Sequence, residues 1–99
     1  MQARAWSDGK NTYGIRVGKP NRDKYFDPDW KVIEVDIDGH FYQFNLTPAF
    51  WRNCPEFRDR GRPVIREWLQ RHHSLRWPRG QPPQVELLPP GNGKFRLLP

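Results

Sequence analysis

The sequence predicts an α+β domain: a mainly antiparallel sheet of about five strands, with two helices inserted in the middle of the chain and packed on one face. Three observations lead to this class. Apolar and polar residues alternate near both ends of the chain, and the middle contains two patterns typical of proline-initiated helices. In addition, 11 prolines and 8 glycines among 99 residues exclude a helical bundle or a long coiled coil. With 35% hydrophobic residues, we expect residues 1–99 to form one domain around one small core.

The N-terminal part of the chain is expected to contain a tail, a strand and a loop. Residues 1–10 show no period, and we expect them to form a flexible tail. Tyr13, Ile15 and Val17 then alternate with polar residues and glycine, which predicts a first strand. Residues 18–26 interpose glycine, proline and charged residues, so we expect a turn followed by a short extended piece.

A β-hairpin is the clearest local signal, and with the first strand it fills the segment 12–46. Two alternating runs flank Asp38–Gly39, a dipeptide suited to a two-residue turn in which both positions need positive φ. With that turn, the apolar residues of both strands fall on one face of the hairpin. The predicted pairs are Ile33–Phe44, Val35–Tyr42 and Ile37–His40.

Two helices are expected within residues 47–73. Thr47–Pro48 combines a preferred N-cap residue with proline at the first helical position. Pro55 ends this helix early, because proline disfavours helical backbone at the residue before it. Pro63 opens the second helix, which runs from Val64 to about His73 and carries one apolar face.

The C-terminal part is predicted to be an irregular arm over residues 74–84, followed by a hairpin over residues 85–98. A three-residue loop at 91–93 is favoured, because Leu87 then faces Leu97 and the apolar residues share a face. A two-residue loop fits this pattern less well.

The charge distribution is the main pointer to function. The formal net charge is +6, and eight arginines against three acids give residues 52–79 a charge of +5. Guanidinium groups suit phosphates, so we expect nucleic acid as the partner, bound without catalysis. A solvated surface, or arginines neutralised by local carboxylates, is the open alternative. The candidate contact residues are Arg58, Arg60, Arg62, Arg66, Gln70, Arg71, His73, Arg76, Arg79 and Trp77, with Tyr42 or Phe41 as further stacking residues.

Two other function classes stay open. The first is a protein-interaction or homo-oligomeric module, such as a dimer, that uses surface aromatic residues and the wet face of the sheet. The second is a small ribonuclease-type toxin that uses His40, His72 or His73. Whether the protein is an enzyme is therefore undecided, although the sequence favours a binding protein and indicates no catalytic set.

No cofactor or metal site is predicted. The single cysteine, Cys54, excludes an internal disulfide and a cysteine-based zinc site. His72 and His73 are adjacent, so on a helix they point about 100° apart and rarely share one ion. The acidic residues Glu34, Asp36 and Asp38 are interpreted as the solvated face of a hairpin, or as partners of the arginine face in a neighbouring copy, and binding of a divalent cation is the less favoured alternative. No apolar run approaches the roughly 20 residues needed to span a bilayer, so we expect a cytoplasmic protein and no membrane partner.

Several segments resemble short bacterial proteins of the kind carried on integron gene cassettes. The resemblance lies in residues 14–26, Phe50–Trp51 with residues 54–58, residues 65–69, and residues 82–87 leading to 95–97. It covers most of the chain from about residue 13. It implies a bacterial, cytoplasmic, stand-alone domain in a class where homo-oligomers are common, and it implies no activity, cofactor or catalytic residue.

Overall fold

The computed structural model describes residues 1–99, except for the side chain of Pro90. The seven strands are β1 (Gln2–Ser7), β2 (Tyr13–Arg16), β3 (Val32–Ile37), β4 (His40–Asn45), β5 (Glu56–Arg58), β6 (Gln84–Gly91) and β7 (Lys94–Leu98). The three helices are α1 (Lys19–Tyr25), α2 (Pro48–Trp51) and α3 (Val64–His72). All strands belong to one sheet, and the helices lie in the connections β2–β3, β4–β5 and β5–β6.

The sheet has the order β4-β3-β7-β6-β1-β2-β5, and its neighbours are antiparallel except for the parallel pair β3–β7. The predicted α+β class is confirmed. The five-stranded, mainly antiparallel sheet with two helices is wrong, because the sheet is mixed and has seven strands, and the chain has three helices. The parallel pair joins strands that are far apart in sequence, so no local pattern could reveal it.

The sheet curves so strongly that it is nearly barrel-shaped. Its two outermost strands approach each other, and the rings of Phe44 in β4 and Phe57 in β5 lie 5.0 Å apart between centres. The core fills the inside of this curve. There the α3 residues Ile65, Trp68 and Leu69 are fully buried, so the apolar face predicted for the second helix is confirmed.

Strand β1 corrects the expectation of a flexible tail at residues 1–10. It lies inside the sheet, between β6 and β2, with Ala3 and Ala5 turned into the core. Alanine is a small apolar residue, so the alternation of Ala3 and Ala5 with Arg4 and Trp6 gives only a weak hydrophobic period. Pairing on both edges orders this segment.

Helix α1 corrects the expectation of a turn and an extended piece at residues 18–26. Its buried side chain is Arg22, whose guanidinium donates to the carbonyl oxygens of Phe50 and Arg52, both at 3.1 Å. These bonds attach α1 to α2. The buried position of this helix is occupied by a charged residue. The sequence therefore has no apolar period from which the helix could be predicted.

Strand β5 is the third element that the sequence did not predict. It has three residues and pairs with β2, so that Ile15 faces Phe57. Such a short strand between proline and polar residues carries too few positions to show a period.

The central hairpin is confirmed in its register. Ile33 faces Phe44 and Val35 faces Tyr42, as the Asp38–Gly39 turn requires. The two turn residues have φ values of +52° and +89°. The local signal was sufficient here because turn chemistry and apolar alternation favour the same register.

The two predicted helix starts are also confirmed. The hydroxyl oxygen of Thr47 accepts a hydrogen bond from the Phe50 amide at 3.3 Å, as expected of an N-cap residue. Helix α3 begins at Val64, directly after Pro63. Its first amides are capped by a residue that precedes the helix in the chain. The carboxylate of Asp59 accepts hydrogen bonds from Ile65 N at 2.8 Å and from Arg66 N at 3.0 Å.

The C-terminal hairpin has the predicted register but a different turn. Leu87 faces Leu97, whereas the loop has two residues and is closed by the pair Gly91–Lys94. The register shifts between Leu88 and Gly91, so a bulge absorbs the extra residue. The expected three-residue loop is therefore wrong, although the facing residues that suggested it are correct.

Candidate nucleic-acid interface

Two arginines face each other on the outer surface of the sheet. Arg4 in β1 lies opposite Arg16 in β2, and Arg16 lies opposite Glu56 in β5. The Arg16 guanidinium is 4.0 Å from the Glu56 carboxylate, a long contact. Like charges directly opposite each other are unfavourable in a sheet, and the long contact with Glu56 offsets the charge of Arg16 only weakly.

The next row across the same strands is Trp6, Gly14 and Arg58. The Arg58 guanidinium reaches across the glycine and lies 4.3 Å from the centre of the Trp6 ring. A Cβ atom at position 14 would lie 2.4 Å from the carbonyl oxygen of Phe57, so glycine is needed for the close approach of β2 and β5. The row therefore holds the Trp6 indole in a fixed place on the sheet.

The arm, residues 74–83, folds back beside β1 and connects α3 to β6. Ala5 N donates to the carbonyl oxygen of Pro83 at 2.9 Å. The hydroxyl of Tyr13 donates to the carbonyl oxygen of Leu75 at 3.0 Å, and the Trp77 ring meets the Tyr13 ring edge-on at 6.2 Å. These contacts place the Trp77 indole next to the β1–β2 surface.

Between the arm and the β1–β2 strands with their connecting turn lies a concavity of about 990 Å³, which we call the arm pocket. Within the described chain no Asp or Glu lines this pocket. The Trp6 and Trp77 side chains are half-buried there and leave part of each indole open to the pocket. Its cations are Arg4, Lys10, Arg16 and Arg76.

The arm pocket combines the two groups that bind a nucleic-acid strand. Guanidinium groups donate hydrogen bonds to phosphate oxygens in a planar fork. Indole rings provide flat surfaces on which an unpaired base stacks, with a contribution of about 1–3 kcal/mol per base. Both kinds of group converge here on one surface.

The structure places the predicted contact residues in separate parts of the surface. Arg76 and Trp77 line the arm pocket, and Arg79 is exposed in the arm. Arg58, Arg60 and Arg62 line a groove between β4 and β5, together with the predicted stacking residues Phe41 and Tyr42. The remaining four, Arg66, Gln70, Arg71 and His73, lie on α3 or directly after it.

The groove between β4 and β5 is less suited to a polyanion than the arm pocket. The Arg62 guanidinium lies 5.7 Å from the centre of the Tyr42 ring, and Arg58 donates to Glu56 at 3.0 Å. Asp59 also lines the groove, and burial raises the pKa of its carboxyl above the ordinary value. The arginines of this groove are thus partly occupied by aromatic and acidic neighbours.

On α3, the C-terminal end is tied to the turn of the central hairpin. The carboxylate of Asp38 accepts from Arg71 at 2.7 Å and contacts Nε2 of His72 at 3.1 Å. The hydrogen bond from Arg71 is the main reason why the pKa of Asp38 is lowered. Asp38 therefore neutralises Arg71, as the alternative interpretation of the arginines expects. Arg71 is thus not part of an open cationic face.

The histidines contribute no shared site. His40 is exposed on β4, His72 contacts Asp38, and the His73 ring packs against Trp68 with centres 5.7 Å apart. Across the described residues, no group of three or more His, Cys, Asp or Glu side chains is placed to hold a metal ion. The ribonuclease-type alternative gains no support from these positions.

Among the cations and tryptophans of the arm pocket, four were not predicted: Arg4, Trp6, Lys10 and Arg16. Residues 1–51 carry seven basic and seven acidic residues, so the net charge of this segment is zero. That value gives no sign of the excess of positive charge in the arm pocket. The weak alternation of Ala3 and Ala5 with Arg4 and Trp6 was the available signal. Read as a strand, it would have placed Arg4 and Trp6 together on one exposed face.

Comparison with known proteins found no match to a protein-family model, to a curated protein or to a solved structure. The resemblance to integron gene-cassette proteins stays a prediction. Within the described chain, the helices are all too short and too polar to cross a membrane. The geometry of the arm pocket is therefore the basis for a functional conclusion.

Proposed function

We propose that the protein binds single-stranded nucleic acid in the arm pocket. Arg4, Arg16 and Arg76 contact phosphates, and Trp6 and Trp77 stack on unpaired bases. The observation that carries the proposal is a lining with four cations, two indoles and no carboxylate among the residues described. Nucleic acid is thus the partner that was predicted from the sequence, but the centre of the proposed interface is the arm and not α3.

Electrostatics support a polyanion rather than a single small acid. The cations come from three separate places, namely the β1–β2 surface, the turn after β1, and the arm. No ion pair within the described chain involves Arg4, Lys10 or Arg76. Cations distributed along a surface match the regular spacing of phosphates on a strand, and their counterions are released on binding.

The shape of the pocket supports a single strand rather than a duplex. Readers of duplex DNA insert a protruding helix or β-ribbon into the major groove, whereas this site is concave. Trp77 is fixed by the Tyr13 contact and Trp6 by the Arg58 guanidinium, so both rings are ordered before a ligand arrives. Flat, pre-ordered rings recognise bases whose faces are free.

Fluorescence anisotropy with labelled oligonucleotides tests the proposal. A single strand of about 12 nucleotides should bind at low salt, and its duplex should bind more weakly. The double variant Arg4→Glu/Arg16→Glu should weaken single-strand binding by about 30-fold or more, because repulsion replaces two phosphate contacts. Trp77→Ala should weaken it by roughly 10-fold through loss of stacking.

Arg52→Glu and Arg66→Glu are the controls for the single variants Arg4→Glu and Arg16→Glu, since each changes the charge by the same amount but lies outside the arm pocket. Each should change the affinity by no more than about threefold. An effect of Arg66→Glu as large as that of Arg4→Glu would instead locate the interface on α3. Absence of binding at low salt, or preference for the duplex, would contradict the proposal.

A further inference from the structure

The strands β4, β3, β7 and β6 carry a second surface, which is apolar and charge-balanced where the arm pocket is cationic. Four large apolar side chains are exposed, and all four point outward from the adjacent strands β4, β3, β7 and β6. They are Phe41 (59% exposed), Val32 (42%), Leu88 (39%) and Leu98 (37%). Of these four, Phe41 and Leu88 line one depression, and apolar residues gathered in this way mark a contact surface.

One row of this surface runs straight across the four strands. Phe41 lies opposite Asp36, Asp36 opposite Arg96, and Arg96 opposite Leu88. The order across the row is therefore apolar, acidic, basic, apolar. In the neighbouring row Glu34 in β3 lies opposite Lys94 in β7, again an acid next to a base.

We infer that this surface, the β3–β7 face, binds a second copy of the chain in a two-fold dimer. A two-fold axis parallel to the strands and midway between β3 and β7 would place β3 of one copy over β7 of the other. Each Glu34 then lies over a Lys94, each Asp36 over an Arg96 and each Phe41 over a Leu88. The Asp36 side chain is only 13% exposed, so Glu34 is the main acid of the contact. The row is self-complementary, as a two-fold interface requires.

The charges of the two surfaces favour this occupant over others. The whole chain carries +6, so two copies repel each other unless they meet where positive charge is balanced. On the β3–β7 face, Glu34 and Asp36 balance Lys94 and Arg96. A nucleic acid finds no excess of cations here, and a strongly charged protein partner finds no excess of either sign.

The face also has room for a partner side chain. A depression of about 470 Å³ lies between Phe41 and Leu88, with the Phe95 ring among its lining residues. The Arg96 side chain is 62% exposed, and its Nε donates to Asp36 at 3.3 Å. The outer edge of the guanidinium therefore remains available for a carboxylate of the second copy.

Light scattering at increasing protein concentration tests the dimer. The wild-type mass should rise from the 11.9 kDa of one chain towards twice that value. Phe41→Asp should abolish the rise, because it places a charge in the apolar contact. Circular dichroism establishes that the variant is folded, and Arg79→Glu is the control in the arm, outside this face. A wild-type protein that stays monomeric at about 100 µM would overturn the inference.

A charge-swap pair tests the geometry of the interface. Glu34→Lys leaves two bases in the row and Lys94→Glu leaves two acids, so each variant alone should remain monomeric through repulsion. A mixture of the two should form a heterodimer, because every acid then faces a base of the other variant. A mixture that stays monomeric, with both variants folded, would overturn the two-fold arrangement. Nucleic-acid binding plays no part in this readout, so the two proposals can fail independently.

Discussion

The arm pocket and the β3–β7 face are built on different strands of the same sheet and differ in their charge. The first collects four cations without a carboxylate among its described lining residues, whereas the second alternates two acids with two bases. The two regions meet where β6 pairs with β1, since Leu88 of β6 belongs to the β3–β7 face and Arg4 and Trp6 of β1 belong to the arm pocket. The net charge of +6 therefore describes neither surface. Strand order decides which charges become neighbours, and this difference is why we propose a polyanion for one region and an identical copy for the other.

The largest expected effect is a loss of stability at the strands that carry the arm pocket, while the strands of the β3–β7 face are not changed. Gly14→Ala should lower the free energy of unfolding by about 2–4 kcal/mol, because its Cβ would overlap the Phe57 carbonyl oxygen and separate β2 from β5. Urea denaturation measures this loss, and single-strand binding should weaken with it. Gly80→Ala is the control: its Cβ meets open space, so only the positive φ of +76° penalises it, by about 1 kcal/mol. Equal losses in the two variants would contradict the role of the close approach.

Salt should sharpen the contrast between the regions. If four cations each neutralise one phosphate, raising the salt concentration fourfold should weaken single-strand binding by about 50-fold. Self-association should change only about two- to threefold, because the β3–β7 face is charge-balanced and is held by apolar contacts. Anisotropy and light scattering at the same two salt concentrations provide the comparison. A common salt dependence would mean that the two regions do not differ in the proposed way.

The smallest expected effect concerns Asp38, which belongs to neither region. Its pKa lies below the ordinary value of 3.8, chiefly because Arg71 donates to its carboxylate. The stabilisation is therefore present above the unfolded-state pKa, and it is lost as the pH falls through the folded-state pKa. Asp38→Asn should lower stability slightly at neutral pH and lessen the loss of stability below about pH 4. Urea denaturation at both pH values measures this. Unchanged acid sensitivity would show that the contact with Arg71 does not contribute.

Local chemistry predicted those elements whose determinants are close in sequence. The Asp38–Gly39 turn determined its hairpin, and Thr47–Pro48 determined the start of α2. Elements held together by distant contacts were missed. Ala3 and Ala5 are too small to show a strand period, and the buried Arg22 gives α1 no apolar period.

The same distinction explains what could be predicted of the candidate site. Arg76 and Trp77 were identified from the charge and aromatic content of one segment. Their neighbours Arg4 and Trp6 were not identified, because β1 meets the arm through long-range contacts, namely the pairing of residues 2–4 with residues 84–86 and the hydrogen bond from Ala5 N to the Pro83 carbonyl oxygen. The order of cations along the sequence cannot show that residues of β1 and of the arm lie close together in the fold.

Strand β1 also constrains the order in which the molecule can assemble. One of its edges pairs early, with β2, while the other must wait until residues 84–86 have been synthesised, and the parallel contact of β3 waits for β7. Closing such long loops makes folding slow compared with that of helical proteins, and an unpaired edge stays exposed on the nascent chain. The arm pocket is completed by the same closure, so its lining is assembled only after the end of the arm has joined β1.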